Sequence, residues 1–598
     1  MMARRVDELE AARAWGESGA VDRIVESGAW SLRLRRAELA EVSFRGRRVL
    51  RGIRFIVRDS DWRTAEDREI DVADDGDGGL RLRAVAAFDG RDVIRWQLTV
   101  SMGDDSLTVA AEASVLRAFA RNRVGLVVLH GPELAGAPLE IAHVDGATST
   151  TVFPGDISPH QPALEVRGYR WQHDGVASEL ELDGEVFEME DQRNWTDASY
   201  KTYSTRLAEP FPVELAEGAH LAQSLALRCV VAGREPAPRA PLRLTPTAAR
   251  LPQLQLTSSL DPGAPAEPLD VPVGLLVELN AESDDWRGAL HRARAEAGGR
   301  PLDVRVLAAS PDAVRKVVAQ LAPEEVARLG VFDLDSHLSE PPLLAALAEA
   351  RERLGASVEL TGGTRAHFTE LNRGIARLER WDGALAFSVT PQMHDRSREQ
   401  IMESLGVARL VAEQAVRLAR GRAVDIGPVT LRPRFNAVAT SAEVGRRLPD
   451  PGAVDARSAS LAAAAWTLGS LAALSVPGVR SLTLGETVGA RGVLAGPGGD
   501  PLPSGRVVRW LAAGGDLVEL APEVGESDAV AWVAQRAPGD AALQLLVAEL
   551  AGGTAHVGPP QRLRIVAAED AAGGALSNLD QGVELRPLHT ARLLLAPL

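Results

Sequence analysis

The sequence predicts a multidomain α/β plus β protein. An antiparallel β-sandwich comes first, a (β/α)8 TIM-like barrel stands in the middle, and a small β-domain ends the chain. Three observations predict it. Up to about residue 255, apolar and polar residues alternate in short runs bounded by Gly and Asp, which is the period of half-buried strands. From 256 to 512, short apolar runs alternate with segments whose apolar residues recur every three or four positions, which indicates strand–helix units and a parallel sheet. From 513 to 598, short strands return between Gly and Pro. A chain of 598 residues also exceeds what one core usually organises.

In the first segment, after a short helix-like start, the strands are Trp30-Ser-Leu-Arg-Leu-Arg, Arg54-Phe-Ile-Val-Arg, Leu80-Arg-Leu-Arg-Ala-Val, Arg95-Trp-Gln-Leu-Thr-Val and Ser106-Leu-Thr-Val-Ala-Ala. Asp74-Asp-Gly-Asp-Gly-Gly reads as a turn, because Gly and Asp supply left-handed and Asx geometries. It lacks the spacing and terminal Glu of a calcium loop. Trp62, Arg123 and His130 read as packing or loop anchors. A Pro- and Gly-rich linker, Leu260-Asp-Pro-Gly-Ala-Pro-Ala-Glu-Pro, leads into the barrel.

The barrel strands are expected at 271–278, 302–308, 329–335, 357–361, 384–390, 424–431 and 479–484, with an eighth near 516–520. Helices fall at 311–321, 341–354, 397–420 and 457–474. A doubly wound sheet is the alternative, but no Gly-rich phosphate loop follows the first strand. The active face of a barrel is built from residues just past its strands. Those positions hold Gly362, Gly363, Thr364, His367 and Asn372, then Pro391-Gln-Met-His-Asp, Arg432-Pro-Arg-Phe-Asn and Gly485-Glu-Thr. The tail strands at 529–534, 543–549, 561–566 and 591–595 suggest a supporting β-domain.

Composition narrows the partners. Apolar residues make up 45% and charged residues 25%, the profile of a globular protein. A net charge of −16 without an offsetting basic cluster argues against nucleic acid. Cys229 is the lone cysteine and reads as a small buried hydrophobe, which excludes an intrachain disulfide and thiolate-held clusters. No window reaches the roughly 20 apolar residues of a membrane span. Ser460–Val476 comes nearest and reads as a buried helix, and the amino terminus is too charged for a signal peptide. A cytoplasmic location is expected. No metal-binding His pair and no cofactor motif are evident, so neither metal nor cofactor is expected.

One stretch concentrates what the chain otherwise avoids. Glu188-Met-Glu-Asp-Gln-Arg-Asn-Trp-Thr-Asp-Ala-Ser-Tyr-Lys-Thr-Tyr holds two of three tyrosines, one of two lysines and one of six asparagines. In a chain that prefers Arg, a retained Lys201 suggests a site that needs a compact ammonium. The stretch lies between strands, as a loop or hairpin at one edge of the sandwich. Burying so much charge makes sense if it faces a polar cavity shared with the barrel. It resembles the signature of the D-apionate lactonase family, bacterial enzymes of apiose catabolism. Arg51-Gly-Ile-Arg-Phe-Ile-Val-Arg-Asp-Ser-Asp-Trp, Asn122-Arg-Val-Gly-Leu-Val-Val-Leu-His and Phe153-Pro-Gly-Asp-Ile-Ser-Pro-His-Gln-Pro are similar to that family too, as are the four barrel clusters. Two positions depart from it. His367 stands where a tyrosine-like residue is expected, and no aromatic precedes Glu486. The resemblance implies ring opening of D-apionolactone to D-apionate.

The residues themselves support hydrolysis or binding of a small hydroxylated ligand. Glu486 can act as general base on a water, or pair with Arg434. His394 can share or replace it, or serve as a hydrogen-bonded loop residue. Arg434 and Lys201 can stabilise an oxyanion or hold a carboxylate product. Asn372, Asn436, Gln392 and Asn194 suit hydroxyl recognition, and Asp191 and Arg193 join them as candidate substrate contacts from the signature. No Gly-x-Ser-x-Gly elbow is present. Two alternatives remain: a barrel glycoside hydrolase acting on a pentoside, and a non-catalytic carbohydrate-binding protein. The first needs paired carboxylates about 5 Å apart when retaining, whereas strand four ends in Gly-Gly-Thr and the next carboxylate is Glu370.

Overall fold

Alternating residues in the first segment produce alternating burial. Trp30, Leu32 and Leu34 face inward while Ser31, Arg33 and Arg35 stay half-buried. The structure is a computed structural model, and it describes Trp15 and residues 22–76, 79–233, 240–445, 451–496, 501–537 and 543–598. The helix-like start, Trp15 apart, and part of the Asp74 turn lie outside those residues. Among the described residues, 17 antiparallel strands between Arg23 and Val231 join in one sheet system wrapped around an apolar core. Trp30, Trp96, Tyr169 and Phe187 anchor that core. Cys229 is buried in it, beside the Ser178 hydroxyl.

Eight parallel strands then close a barrel: Gln253–Thr257, Gly274–Asn280, Leu302–Ala308, Val326–Asp333, Glu359–His367, Ala384–Val389, Val424–Val429 and Val479–Glu486. This corrects two expectations. The remaining strand is not at 516–520 but is the first, Gln253–Thr257, paired with Gly274–Asn280 and Val479–Glu486. A sandwich boundary at residue 255 therefore cuts through it. Its Gln-Leu-Gln-Leu alternation imitates an antiparallel strand because its glutamines serve a polar barrel interior. Gln255 accepts from Thr483 at 3.0 Å, and Gln253 accepts from Arg328. Other bonds span strands that are not neighbours, so they cross the lumen. Thr361 donates to Asp425 at 3.1 Å, and Arg305 donates to the Gly427 carbonyl at 3.0 Å. The apolar faces point outward onto helices such as Trp286–Ala297, Arg398–Ala419 and Leu461–Leu474. The last is buried almost throughout, as its Ala-rich sequence requires.

Behind the barrel, a five-stranded sheet and a three-stranded sheet form the last domain. The short strand Arg243–Leu244 leaves the first segment to pair with Val530–Arg536. No described helix is long and apolar enough to cross a membrane.

The Glu188–Tyr203 stretch forms a hairpin: strand Phe187–Asp191, a 3-10 turn Gln192–Trp195, and strand Tyr200–Tyr203. It does not lie at a sheet edge. Strand Tyr200–Tyr203 pairs with Phe187–Asp191 on one side and Phe119–His130 on the other. Every residue from Phe187 to Tyr203 is buried, and the tip rests on the barrel.

Candidate active site

The hairpin tip is rigid because its polar atoms are consumed locally. Asp191 caps the 3-10 turn, and the Arg193 guanidinium grips it at 2.8 and 2.7 Å. The same guanidinium donates to the carbonyls of Pro154, Gly155 and Asp156. Tyr200 donates to the Pro154 carbonyl at 2.6 Å. Thr196 takes the left-handed conformation, φ 66°, and turns the chain toward the barrel. There its hydroxyl donates to the Thr390 carbonyl at 2.7 Å. Asn372 donates to Asn194 at 3.0 Å, and the Trp195 ring meets His394 edge-on, centroids 5.2 Å apart.

The tip delivers Asp197 to the barrel. Its carboxylate lies 2.8 Å from Nδ1 of His394, which follows strand Ala384–Val389. Burial, then Lys201 and Arg58, hold the imidazole well below its usual 6.5. Burial pushes Asp197 up to about 8 against the pull of Lys201 and Arg51. His394 is thus neutral at pH 7. When Asp197 is ionised it accepts Nδ1–H and leaves the Nε2 lone pair for a water.

Behind this pair lies an excess of buried positive charge. Lys201 sits 2.5 Å from Glu190 and 4.9 Å from the centroid of Tyr203. Arg123 covers the same ring at 3.6 Å, and Arg58 stands opposite Arg123 in the ladder. Burial is the largest influence on Lys201 and, with Arg123 and Arg58 alongside, outweighs Glu190 and lowers the ammonium to about 8. Burial raises Glu190, but Lys201 and Arg123 prevail and hold it at about 2. Lys201, Arg123 and Arg58 face Glu190 and, once it ionises, Asp197, which leaves one cation in excess for an anion.

The barrel mouth repeats the arrangement. Glu278, on the second strand, receives Arg434 at 2.7 Å and Arg365 at 3.3 Å. Arg434 also donates to the Arg365 carbonyl at 3.1 Å. Burial works against the Glu278 charge, but Arg434 and Arg365 hold it at about 2. One carboxylate again faces two guanidiniums. Arg365 and His367 reach the mouth because strand Glu359–His367 is bulged after Gly363, where the register to its neighbour shifts. Gly363 has φ +116°, and a Cβ there would strike the Ala386 backbone, so only glycine fits. His337 and Phe435 complete the ring, 4.7 Å between centroids. Among the described residues, no group of three His, Cys, Asp or Glu side chains is arranged to hold a metal ion.

Two family models match this architecture. Residues 11–232 match the N-terminal domain of D-apionate lactonase, and residues 271–516 match its TIM barrel domain. The chain belongs to the D-apionate lactonase family. A curated member, the D-apionate lactonase of Brucella anthropi, is 27% identical over 530 residues, which span 81% of this chain and 85% of that protein. Among solved structures, a β-arabinopyranosidase is 9% identical over 96% of this chain and 98% of its own, with a TM-score of 0.31. An aldose 1-epimerase-like protein from Escherichia coli, described as putative, is 12% identical over 36% of this chain and 100% of its own, with a TM-score of 0.26. Scores this low carry no argument.

Within this family fold, the sequence-predicted residues divide. His394, Arg434 and Lys201 stand at the seam or the mouth. Glu486 does not pair with Arg434, which Glu278 has claimed; Arg491 holds its carboxylate at 2.7 Å. Asp191 and Arg193, expected as substrate contacts, instead build the hairpin. The amides are likewise engaged. Asn194 donates to the Ser158 and Asp191 carbonyls, and Asn372 to the Ile157 carbonyl. Gln392 bridges Asp455 and Arg457 at 2.8 Å each. Asn436 donates to the Asp61 carbonyl of the sandwich at 2.8 Å. These amides fasten loops and domains. Sequence reasoning missed Asp197, Glu278 and Arg365. A charge interrupting an apolar barrel strand, as in Leu275-Leu-Val-Glu-Leu-Asn, was the available signal.

Proposed function

We propose that the chain is a carboxylic-ester hydrolase that opens a small sugar lactone, D-apionolactone, to D-apionate in apiose catabolism. The observation that carries this reading is the Asp197–His394 pair, shared between the sandwich hairpin and the barrel and flanked by surplus buried positive charge.

His394 Nε2 takes a proton from a water while Asp197 accepts Nδ1–H and steadies the imidazolium that forms. The water oxygen bonds to the lactone carbonyl carbon, and the carbonyl electrons move to oxygen. Arg434, Arg365 and Lys201 supply positive charge for that oxyanion in a water-poor setting. As the carbonyl re-forms, the ring C–O bond breaks, and the leaving oxygen takes the proton from His394. The new carboxyl group then ionises, so each turnover releases one proton.

Glu278 cannot act as the general acid of a glycosidase while two guanidiniums hold it at about 2. The test is a pH-indicator assay on a panel of sugar lactones, with reducing-end detection on pentosides. The expected result is acid release from lactones, fastest with D-apionolactone, and no reducing sugar. Reducing sugar without acid release would overturn the reading, and silence in both would leave a binding protein.

A further inference from the structure

We propose that His367 reads a hydroxyl group of the substrate and thereby sets which sugar lactone is accepted, a role that rests on the lactonase reading above. His367 ends strand Glu359–His367, and its backbone N–H is fixed by Glu370 at 2.8 Å. Its ring is buried, 5% exposed, yet neither Nδ1 nor Nε2 makes a well-formed hydrogen bond, and the nearby Ser388 backbone only weakly opposes the fall in its pKa. Every imidazole carries at least one donor, and a neutral one carries a donor and an acceptor. Native structures rarely leave both unmet, since each orphan forfeits its hydration.

The orphans are not isolated. His337, 3% exposed, has an unpartnered Nδ1, and Trp195 has an unpartnered Nε1. His367 faces Arg434, His337 and His394, each arriving from the end of a different barrel strand. It therefore lies within electrostatic reach of both the Glu278–Arg434 group and the Asp197–His394 pair. Burial and the neighbouring Arg434 keep its ring neutral. A neutral ring that offers one N–H and one lone pair matches a group that both accepts and donates. A hydroxyl does so; an ester carbonyl or a carboxylate only accepts. The structure thus separates two tasks: cations handle the reacting carbonyl, and His367 handles a ring hydroxyl.

The experiment compares wild type, His367→Phe and His367→Gln on D-apionolactone and on analogues each lacking one hydroxyl. Turnover is followed by acid release, and binding of D-apionate and its deoxy analogues by calorimetry. The wild type is expected to prefer the full lactone over one deoxy analogue by about 10- to 100-fold in kcat/KM. His367→Phe should erase that preference, losing its rate on the full lactone but less than about threefold on that analogue. His367→Gln, which keeps a donor and an acceptor, should retain part of it. An equal loss on every lactone, or none on any, overturns the proposal. A wild type that opens no lactone but binds D-apionate with the same His367-dependent discrimination would defeat the lactonase reading and leave this role standing. A wild type that neither turns over nor binds any of these ligands would overturn both.

Discussion

Asp197 and Lys201 share one environment and are pulled in opposite directions by it. Asp197 must lose its proton to accept Nδ1–H of His394, so activity should rise as pH passes upward through about 8. Lys201 must keep its proton to stabilise an oxyanion, so activity should fall as pH passes upward through about 8. The profile of kcat/KM is therefore expected to be a narrow bell centred near pH 8, whose limbs belong to the coupled pair. Because His394 is held well below its usual value, it contributes no limb near 6.5. Lys201→Arg should remove the alkaline limb, because a guanidinium keeps its proton, and lower the maximum, because its fork replaces a compact ammonium; an unchanged alkaline limb in that variant would exclude Lys201. Glu486 gives the opposite expectation. With its carboxylate given to Arg491, Glu486→Gln should keep turnover within about tenfold while costing about 1–3 kcal/mol of stability, read by chemical denaturation. Abolished turnover in a folded Glu486→Gln variant would return Glu486 to the mechanism.

The hairpin is where the sequence was most and least legible. Its rare residues singled it out, since Lys, Tyr and Asn stand out in an Arg- and Ala-rich chain. The same rarity could not show how far its amides are already engaged. Asn194 and Asn372 look like hydroxyl readers by type, but here the N–H groups of both are taken by backbone carbonyls and by the Asn372–Asn194 contact. Composition cannot reveal such saturation. A double-mutant cycle on Asn194→Ala and Asn372→Ala should give a coupling of about 1 kcal/mol in stability; strict additivity would show that the 3.0 Å contact does no fastening. The barrel strands were legible from their apolar runs, except the first. Gln253–Thr257 alternates because its glutamines line a polar lumen, and period two normally signals a water-facing sheet. The bulge after Gly363 was also hidden, since a Gly-Gly pair reads as a turn. Gly363→Ala forces a Cβ into the Ala386 backbone at φ +116°, and should cost about 1–3 kcal/mol and lower kcat by displacing Arg365 and His367.

Sandwich and barrel form one working body through polar bonds distributed along their seam. Arg54 joins Glu38 at 2.8 Å on its own side to Asp395 at 2.5 Å on the barrel. Arg51 reaches Glu403 at 2.9 Å, Gln414 holds both backbone groups of Ile157, and Thr440 donates to the Ser60 carbonyl at 2.5 Å. The two units should therefore unfold in a single calorimetric transition, and Arg54→Met should lower its midpoint or split it, because it strands Asp395 and Glu38. Two resolved transitions in the wild type would mean the seam is weak. On the proposed mechanism this seam makes catalysis a property of the whole chain, since Asp197 comes from one domain and His394 from the other. The most direct test is kcat/KM for lactone opening in Asp197→Asn, His394→Gln and the double variant. Each single change should cost about 10²- to 10⁴-fold, and the double variant should be no worse than the more damaging single one, because the two residues act as a unit. Wild-type-like rates in either single variant, or losses that multiply in the double, would contradict a base assembled across the two domains.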